Sequence, residues 1–542
     1  MGKSTLLQQI FDTANSTSLE CKGSPKVLDR LGDLYNGTPA DTMAWLLENV
    51  PVQKTPNGIY LSNGDIGDGV DYLGQKLTSH QTPYGFAALF VSASRAFDRV
   101  TLTDHVQAKT NIEDPPSHPL HVFALNTEAS KEMIDVVQEI FGEELTLDTV
   151  AGSQGYRLGN PGMEPPMLGQ VTIEYAQAMA KLPKLSAQGD GLRSAVGLLM
   201  PLIAQTTPVM LVDEPEAFLH PPQARSLGRA VARLATKKEI QIILATHDRN
   251  FLMGLLECKE ADLSILNLTR EGPVSKSHVL PNEKVRDLFS DSLLRYSHAV
   301  DGLFSKAVVL TENERDSTFY SATIEEFLVS KGISAPADIH FVSVSGKHRM
   351  PGIAERLRAM GMRVFAIADL DVLDDKSLLN RLVDSLGGDW AAVEVDYVHA
   401  TEQFRQTSKN LTKAEALTLV SPYLQSGPSA PFTGDDAKRV KELLRVENPW
   451  NALKHYGMSA FRQQKEAANR LIDNLDSFGL IAVKVGELER FTSSDISKGS
   501  QWLGAALEEG VHRMPDSQDH ARRVLSVARP DLLSAGDSGR SA

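Results

Sequence analysis

Cysteine is nearly absent. The 542 residues hold two, Cys21 and Cys258, far apart in sequence. That excludes a disulfide framework and a cysteine-built zinc site, and it fits a reducing, cytoplasmic setting. No apolar run reaches the ~20 residues that a bilayer-spanning helix needs, so no membrane partner is expected. Basic charge is in deficit: 55 Lys and Arg against 69 Asp and Glu give a net charge of −14. No global positive field recruits nucleic acid, which would have to be met by a local basic groove or by metal ions bridging to phosphates. Hydrophobic residues make up 42% of the chain and charged residues 23%, ordinary values for a globular protein. The length suggests two to four domains at ~150 residues each.

Short apolar runs between glycine and aspartate turns read as strands at Gly58–Leu61, Gly69–Leu73 and Ala87–Val91. Helical periodicity covers 126–142 and 191–204. Val209–Val212 and Ile240–Leu244 are continuous apolar strands flanking a helix over 224–234, a parallel α/β pattern. Near residue 306 the pattern restarts, with strands at 307–310, 339–344 and 364–368, helices at 317–330 and 353–360, a mainly helical stretch over 376–475, and a late strand at 480–483. From Pro515 the chain reads as a polar tail, with its last ten residues disordered.

The chain opens Gly2-Lys3-Ser4-Thr5, the second half of a phosphate-binding loop. In a complete loop, backbone N–H groups close around the phosphates, the lysine reaches the β/γ oxygens and the hydroxyl ligates Mg²⁺. The strand and first glycine that should precede it are missing, so the start is expected to lie downstream of the true one. Asp213 and Glu214 end the apolar strand 209–212. Asp213 there can hold the Mg²⁺ of a nucleotide, and Glu214 can polarise the attacking water. His247 ends the next strand, within reach of a γ-phosphate. Ser186 to Arg193 is a glycine-rich turn entering a helix, with Ser186, Gly189 and Gly191 offering an anion site.

In the second half, acidic residues sit at strand ends. Glu312 ends the first strand, with Asp316 four residues on. Asp369 and Asp371 end the third, and Glu487 and Glu489 follow the last. Parallel strand ends converge on one edge of a sheet. Carboxylates gathered there repel one another and favour a hard divalent cation, Mg²⁺ or Mn²⁺. Two such ions could activate water and stabilise the leaving oxygen of a phosphodiester. Gly346-Lys347-His348-Arg349 is a short basic loop that either contacts a phosphate backbone or is merely solvated.

Together, the first-half motifs resemble those of ABC-type ATPases: a partial Walker A (Gly2, Lys3, Ser4, Thr5), a signature (Ser186 to Arg193), a Walker B (Asp213, Glu214) and a switch histidine (His247). The continuation Glu214-Pro215-Glu216-Ala217-Phe218-Leu219-His220-Pro221 is similar to the ATPases of DNA repair and phage defence. The signature departs from L-S-G-G-Q at Ala187 and Gln188. The second-half order, a glutamate and then D-x-D, resembles a Toprim domain. The trailing G-E-L-E resembles the extra metal-binding element of the overcoming-lysogenization-defect (OLD) family. The resemblance implies an α/β chain: an ATPase domain over 1–300 lacking its P-loop strand, a Toprim domain over 301–512 with a helical insertion at about 376–475, and the tail over 513–542. It implies ATP and Mg²⁺ or Mn²⁺ as cofactors. Glu312, Asp316, Asp369, Asp371, Glu487 and Glu489 would be metal ligands and Lys498 a transition-state lysine. It also implies a homodimer or higher homo-oligomer and a nucleic-acid partner, DNA ahead of RNA, and it leaves room for an accessory defence protein. The implied activity is ATP-regulated cleavage of nucleic acid in defence against phage. One departure favours a rival, a non-cleaving ATP-dependent sensor: Asn313 follows Glu312 where Toprim strands usually have glycine.

Overall fold

The computed structural model describes residues 2–15, 38–49, 52–55, 58–62, 67–70, 91–111, 116–166, 170–271, 274–290, 298–405, 411–426, 431–444, 448–492 and 501–538. The expected strand segments 71–73 and 87–90, residue Lys498 and the last four residues lie outside these ranges. The chain forms two compact units, Met1–Phe289 and Ser290–Ala542.

In the first unit, helix α1 (Lys3–Asn15) lies on a parallel sheet of three described strands, β1 (Val91–Ser94), β2 (Val209–Asp213) and β3 (Gln241–Ala245), with β2 in the middle. Leu7 of α1 packs with Val91, Leu211 and Ala245, which seats the start of α1 over the ends of the strands. Helix α2 (Ala96–Thr101) follows β1. Helix α3 (Asp190–Ala204) precedes β2 and is buried along nearly its whole length from Ser194 to Ile203. Helices α4 (Pro221–Lys237) and α5 (Arg249–Glu257) complete the crossover. The 224–234 helix expected from sequence thus extends a turn in the N-terminal direction, because Pro221 and Pro222 are tolerated in the first helical turn. An antiparallel sheet (Val106–Gln107, Leu145–Asp148, Ser153–Leu158) and a hairpin (Ile265–Glu271, Val274–Leu280) were not foreseen.

The second unit is built on a four-stranded, wholly parallel sheet. It comprises β4 (Ala307–Thr311), β5 (Ile339–Ser343), β6 (Val364–Asp369) and β7 (Leu480–Val483), in the order β5-β4-β6-β7. The register pairs Leu310 with Ala366 and Asp369 with Val483, so the carboxyl ends of the strands are level. Helix α6 (Glu314–Ser330) follows β4 and α7 (Met350–Ala359) follows β5. Residues 376–475 are mainly helical in their described parts, including α8 (Asn451–Tyr456) and α9 (Lys465–Ser477).

The segment expected to be a polar tail is instead folded. Pro515–Ala528 is a helix, α10, and Pro530–Ser538 is another. Ala521, Val524, Leu525 and Ala528 are buried in the main core beside Phe319, Phe491 and Trp502. Arg523, also buried, bonds Asp476 at 2.6 and 2.8 Å and the carbonyl of Ala482 in β7 at 3.0 Å. The residues from Pro515 therefore close the Toprim-like sheet.

Candidate active sites

In the first unit the motifs converge. Lys3 and Ser4 open α1, directly over the ends of β2 and β3. Ser4 Oγ donates to Asp213 Oδ1 at 3.0 Å. Lys3 Nζ donates to the Thr246 carbonyl at 2.6 Å and lies 3.1 Å from His247 Nδ1. Burial lowers the Lys3 ammonium's pKa, and Glu216, Glu214 and Asp213 oppose that shift. Gly2 has φ +112, a conformation natural to glycine, and Thr5 lies half-buried in the first turn of α1. His247 Nε2 is 3.9 Å from Glu214 Oε1. Glu214 itself is left-handed, with φ +46, and its N–H bonds the carbonyl of Ala245.

Ser186 lies in a short turn at 185–187, Gly189 caps α3, and Gly191 is in its first turn. Sequence reasoning passed over Glu216. Its Oε1 accepts from Thr246 Oγ1 and from the His247 N–H, both at 2.9 Å, and so fixes the switch turn. The clue was its place two residues after Glu214 in an acidic turn.

In the second unit, Glu312 and Asp369 leave the level ends of adjacent strands, and Asp371 follows in the turn after β6. One carboxylate oxygen from each of Glu312, Asp369 and Asp371 lies within 4.8 Å of the others. Burial, then the charges of Glu312 and Asp371, push the Asp369 carboxyl up to about 8. Glu312 is raised by burial and by Asp371. Its Oε1 is buried with no hydrogen-bond partner. Three crowded carboxylates, one with an unsatisfied buried oxygen, suit a hard divalent cation.

The other expected ligands lie around this group and have other partners. Asp316 Oδ2 accepts from the Asn313 N–H at 3.0 Å, and burial raises its carboxyl to about 6. Glu489 pairs with Arg315 at 2.9 Å. Glu487 is buried and lies 3.6 Å from Arg490. The loop carrying Glu487 is held to β6 by a bond from the Leu370 N–H to the Gly486 carbonyl, 2.8 Å. Gly486 has φ +113, and a Cβ there would strike the backbone of Lys454, so only glycine fits.

Asn313 is extended, with φ −136. The conformational freedom of glycine is not required there, and the reason for favouring a defective site on that ground disappears.

Two lysines complete the site. Lys347 Nζ lies 3.1 Å from Asp371 Oδ1 and bonds the Asp371 carbonyl at 3.0 Å. Lys454 Nζ lies 2.7 Å from Asp371 Oδ2. The basic loop thus turns Lys347 inward, onto the carboxylates. Lys454 had no sequence signal, since it comes from the long helical insertion.

Residues 72–254 match a family described as an AAA domain, with AbiEii toxin, Type IV TA system in its description. Residues 303–371 match the overcoming lysogenization defect protein-like TOPRIM domain. An AAA-type ATPase domain followed by an OLD-like TOPRIM domain is thus the order of the two matches along the chain. The second of these matches ends on Asp371 and contains Glu312, Asp316 and Asp369. The Old nuclease of Escherichia phage P2 is 24% identical over 190 residues, covering 33% of this chain and 31% of its own. The chain therefore spans about a third of that OLD relative. Two solved structures are also similar. An SMC head bound to the C-winged helix domain of ScpA is 15% identical at a TM-score of 0.31, over 53% of this chain and 89% of that one. A chain from a study of ATP-driven dimerization and DNA-stimulated activation of SMC ATPases is 18% identical at 0.22, over 31% and 94%.

Proposed function

We propose that the protein is an ATP-regulated, divalent-metal-dependent nuclease of the OLD type, cytoplasmic and acting in defence against phage. The observation that carries the reading is the meeting of Glu312, Asp369 and Asp371 at one sheet edge, within an OLD-like Toprim domain. Mg²⁺ or Mn²⁺ held by these three would supply a Lewis acid for water activation and for the leaving oxygen of a phosphodiester. Asp316, Glu487 and Glu489 would serve a second ion, and Lys498 would act on the transition state. The chain's own cations, Lys347 and Lys454, place positive charge beside the group and orient Asp371. That answers the net charge of −14: nucleic acid is received locally, by ammonium groups and metal, with DNA ahead of RNA.

In the first unit, Lys3, Ser4, Thr5 and Gly2 would receive the phosphates of ATP, and Asp213 with Ser4 its Mg²⁺. Glu214 would orient the water and His247 would face the γ-phosphate. Ser186, Gly189 and Gly191 would meet the nucleotide of a partner subunit, which makes the protein a homodimer or higher homo-oligomer. An accessory defence protein is compatible with this arrangement. Among the described residues no helix is long and apolar enough to cross a membrane.

Plasmid, linear DNA and RNA incubated with the protein and Mg²⁺ or Mn²⁺ test the reading. Cleavage that disappears in Asp369→Ala supports it. Intact nucleic acid with every metal, alongside continued ATP hydrolysis, would support the sensor instead.

A further inference from the structure

We infer that Arg99 is a positioning residue for ATP hydrolysis, fixing the backbone around Glu214 and tying it to the helix that carries the signature. The inference rests on the nucleotide-site reading above.

Arg99, on α2, is fully buried. Its Nη1 donates to the carbonyls of Ser94 (3.0 Å) and Asp213 (2.9 Å), Nη2 to the carbonyl of Glu214 (2.7 Å), and Nε to Ser194 Oγ (3.1 Å). One rigid fork therefore reaches the end of β1, the end of β2 and the side of α3. The carbonyls of Asp213 and Glu214 belong to the two peptide planes on either side of the Glu214 Cα. Holding both planes fixes φ and ψ of that residue, which sits at φ +46, where a residue with a side chain rarely goes. The direction of the Glu214 carboxylate follows from its backbone. A lysine could not do this, since an ammonium has no planar array of donors to span four separated acceptors.

The same guanidinium ties this turn to the signature. Ser194 is on α3, whose first turn belongs to the Ser186–Arg193 segment. Arg193 itself bonds the Val100 carbonyl and Thr103 Oγ1, both at 3.1 Å, which joins the signature to the end of α2 a second time. At Gly197 the helices approach so closely that a Cβ would collide with the Arg99 backbone carbonyl. A shift of α3 is therefore transmitted to Arg99 through direct contact, and from Arg99 to the two carbonyls around Glu214. Engagement of the signature by a partner's nucleotide would in this way be felt at the hydrolytic glutamate.

The test is steady-state ATP turnover of the full chain and of Arg99→Lys, Arg99→Gln and Ser194→Ala, with amide hydrogen exchange over residues 213–217. For Arg99→Lys the expected result is a kcat lower by about tenfold or more, with KM for ATP changed by less than about threefold. Exchange should be faster in that variant at the Glu214 amide and at Ala217, whose N–H bonds the Glu214 carbonyl at 3.1 Å, because the peptide planes around Glu214 are released. Ser194→Ala, a small change that keeps the three backbone bonds, should lower kcat by roughly threefold at constant KM and decides the matter if the Arg99 variants do not fold. Wild-type kcat in Arg99→Lys or Ser194→Ala would overturn the inference alone. So would parallel losses of kcat and ATP affinity with unchanged exchange at 214–217. If the unmodified protein binds ATP without turning it over, unchanged exchange around Glu214 in Arg99→Lys would overturn the inference alone; failure even to bind ATP would overturn the ATPase reading and the inference with it.

Discussion

Lys454 Nζ lies 2.7 Å from Asp371 Oδ2 while Lys347 Nζ lies 3.1 Å from Asp371 Oδ1, so each oxygen of one carboxylate faces an ammonium. A divalent ion drawn to Asp371 must compete with these two cations. Lys454 is the more exposed of the pair, so solvent screens its attraction and a modest effect is expected. Lys454→Met should tighten Mn²⁺ binding by about two- to fivefold, read by titration of the free-ion spectrum. Weaker binding in that variant would show that Lys454 supports the ion rather than opposing it.

Asp369 makes stability depend on pH. Its carboxyl is raised from 3.8 to about 8 in the folded protein, by burial and then by Glu312 and Asp371. The folded state therefore holds a proton that the unfolded chain releases, and stability falls as pH climbs between those values. Asp316, raised to about 6, adds a slope of the same sign over the lower part of the window. With divalent ions chelated, the melting temperature should drop from pH 6 to pH 8.5, by an amount equivalent to a few kcal/mol, on the order expected for a shift of several pKa units. Asp369→Asn should flatten the profile. Below about pH 8 metal competes with the proton, so Mn²⁺ affinity should rise with pH across the same range.

Ser4 bonds Asp213, and Glu214 lies beside His247, so the proposed nucleotide site would separate binding from hydrolysis. Glu214→Gln should keep ATP affinity within about twofold and reduce turnover by roughly 100-fold, the usual loss for a group that orients the attacking water. Asp213→Asn should instead weaken binding of Mg²⁺-ATP. Fluorescent-nucleotide titration beside phosphate release distinguishes the two.

Trp502 is fully buried, with its ring 5.5 Å from that of Phe319 on α6, the helix that starts just after Glu312. Trp502→Ala should lower the stability of the second unit by ~3–5 kcal/mol in denaturant titration. Unchanged stability would mean that the core around α6 repacks without cost.

Much of this was legible because buried parallel strands are written as continuous apolar runs and their acidic ends stand out. Ala307–Thr311 and Val364–Ala368 are buried throughout, and the carboxylates following them converge because the register levels the strand ends. Helix α10 was missed for the opposite reason. Its buried Ala521, Val524, Leu525 and Ala528 follow helical spacing, but Asp516, Asp519, Arg522 and Arg523 among them make the segment polar on average. Arg99 and Lys454 could not have been found. Their roles depend on a close helix approach at Gly197 and on the packing of an insertion against Gly486, neither of which is written in local spacing.

The most direct measurement is a Mn²⁺ binding isotherm for the protein and for Glu312→Gln and Asp369→Asn, at pH 8 where the Asp369 carboxyl readily gives up its proton. Binding by the unmodified protein, weakened at least about tenfold in both variants, is the expected result, in line with the loss of a ligand from a carboxylate site. Undiminished binding in either variant, or none by the unmodified protein, would contradict a metal centre at Glu312, Asp369 and Asp371.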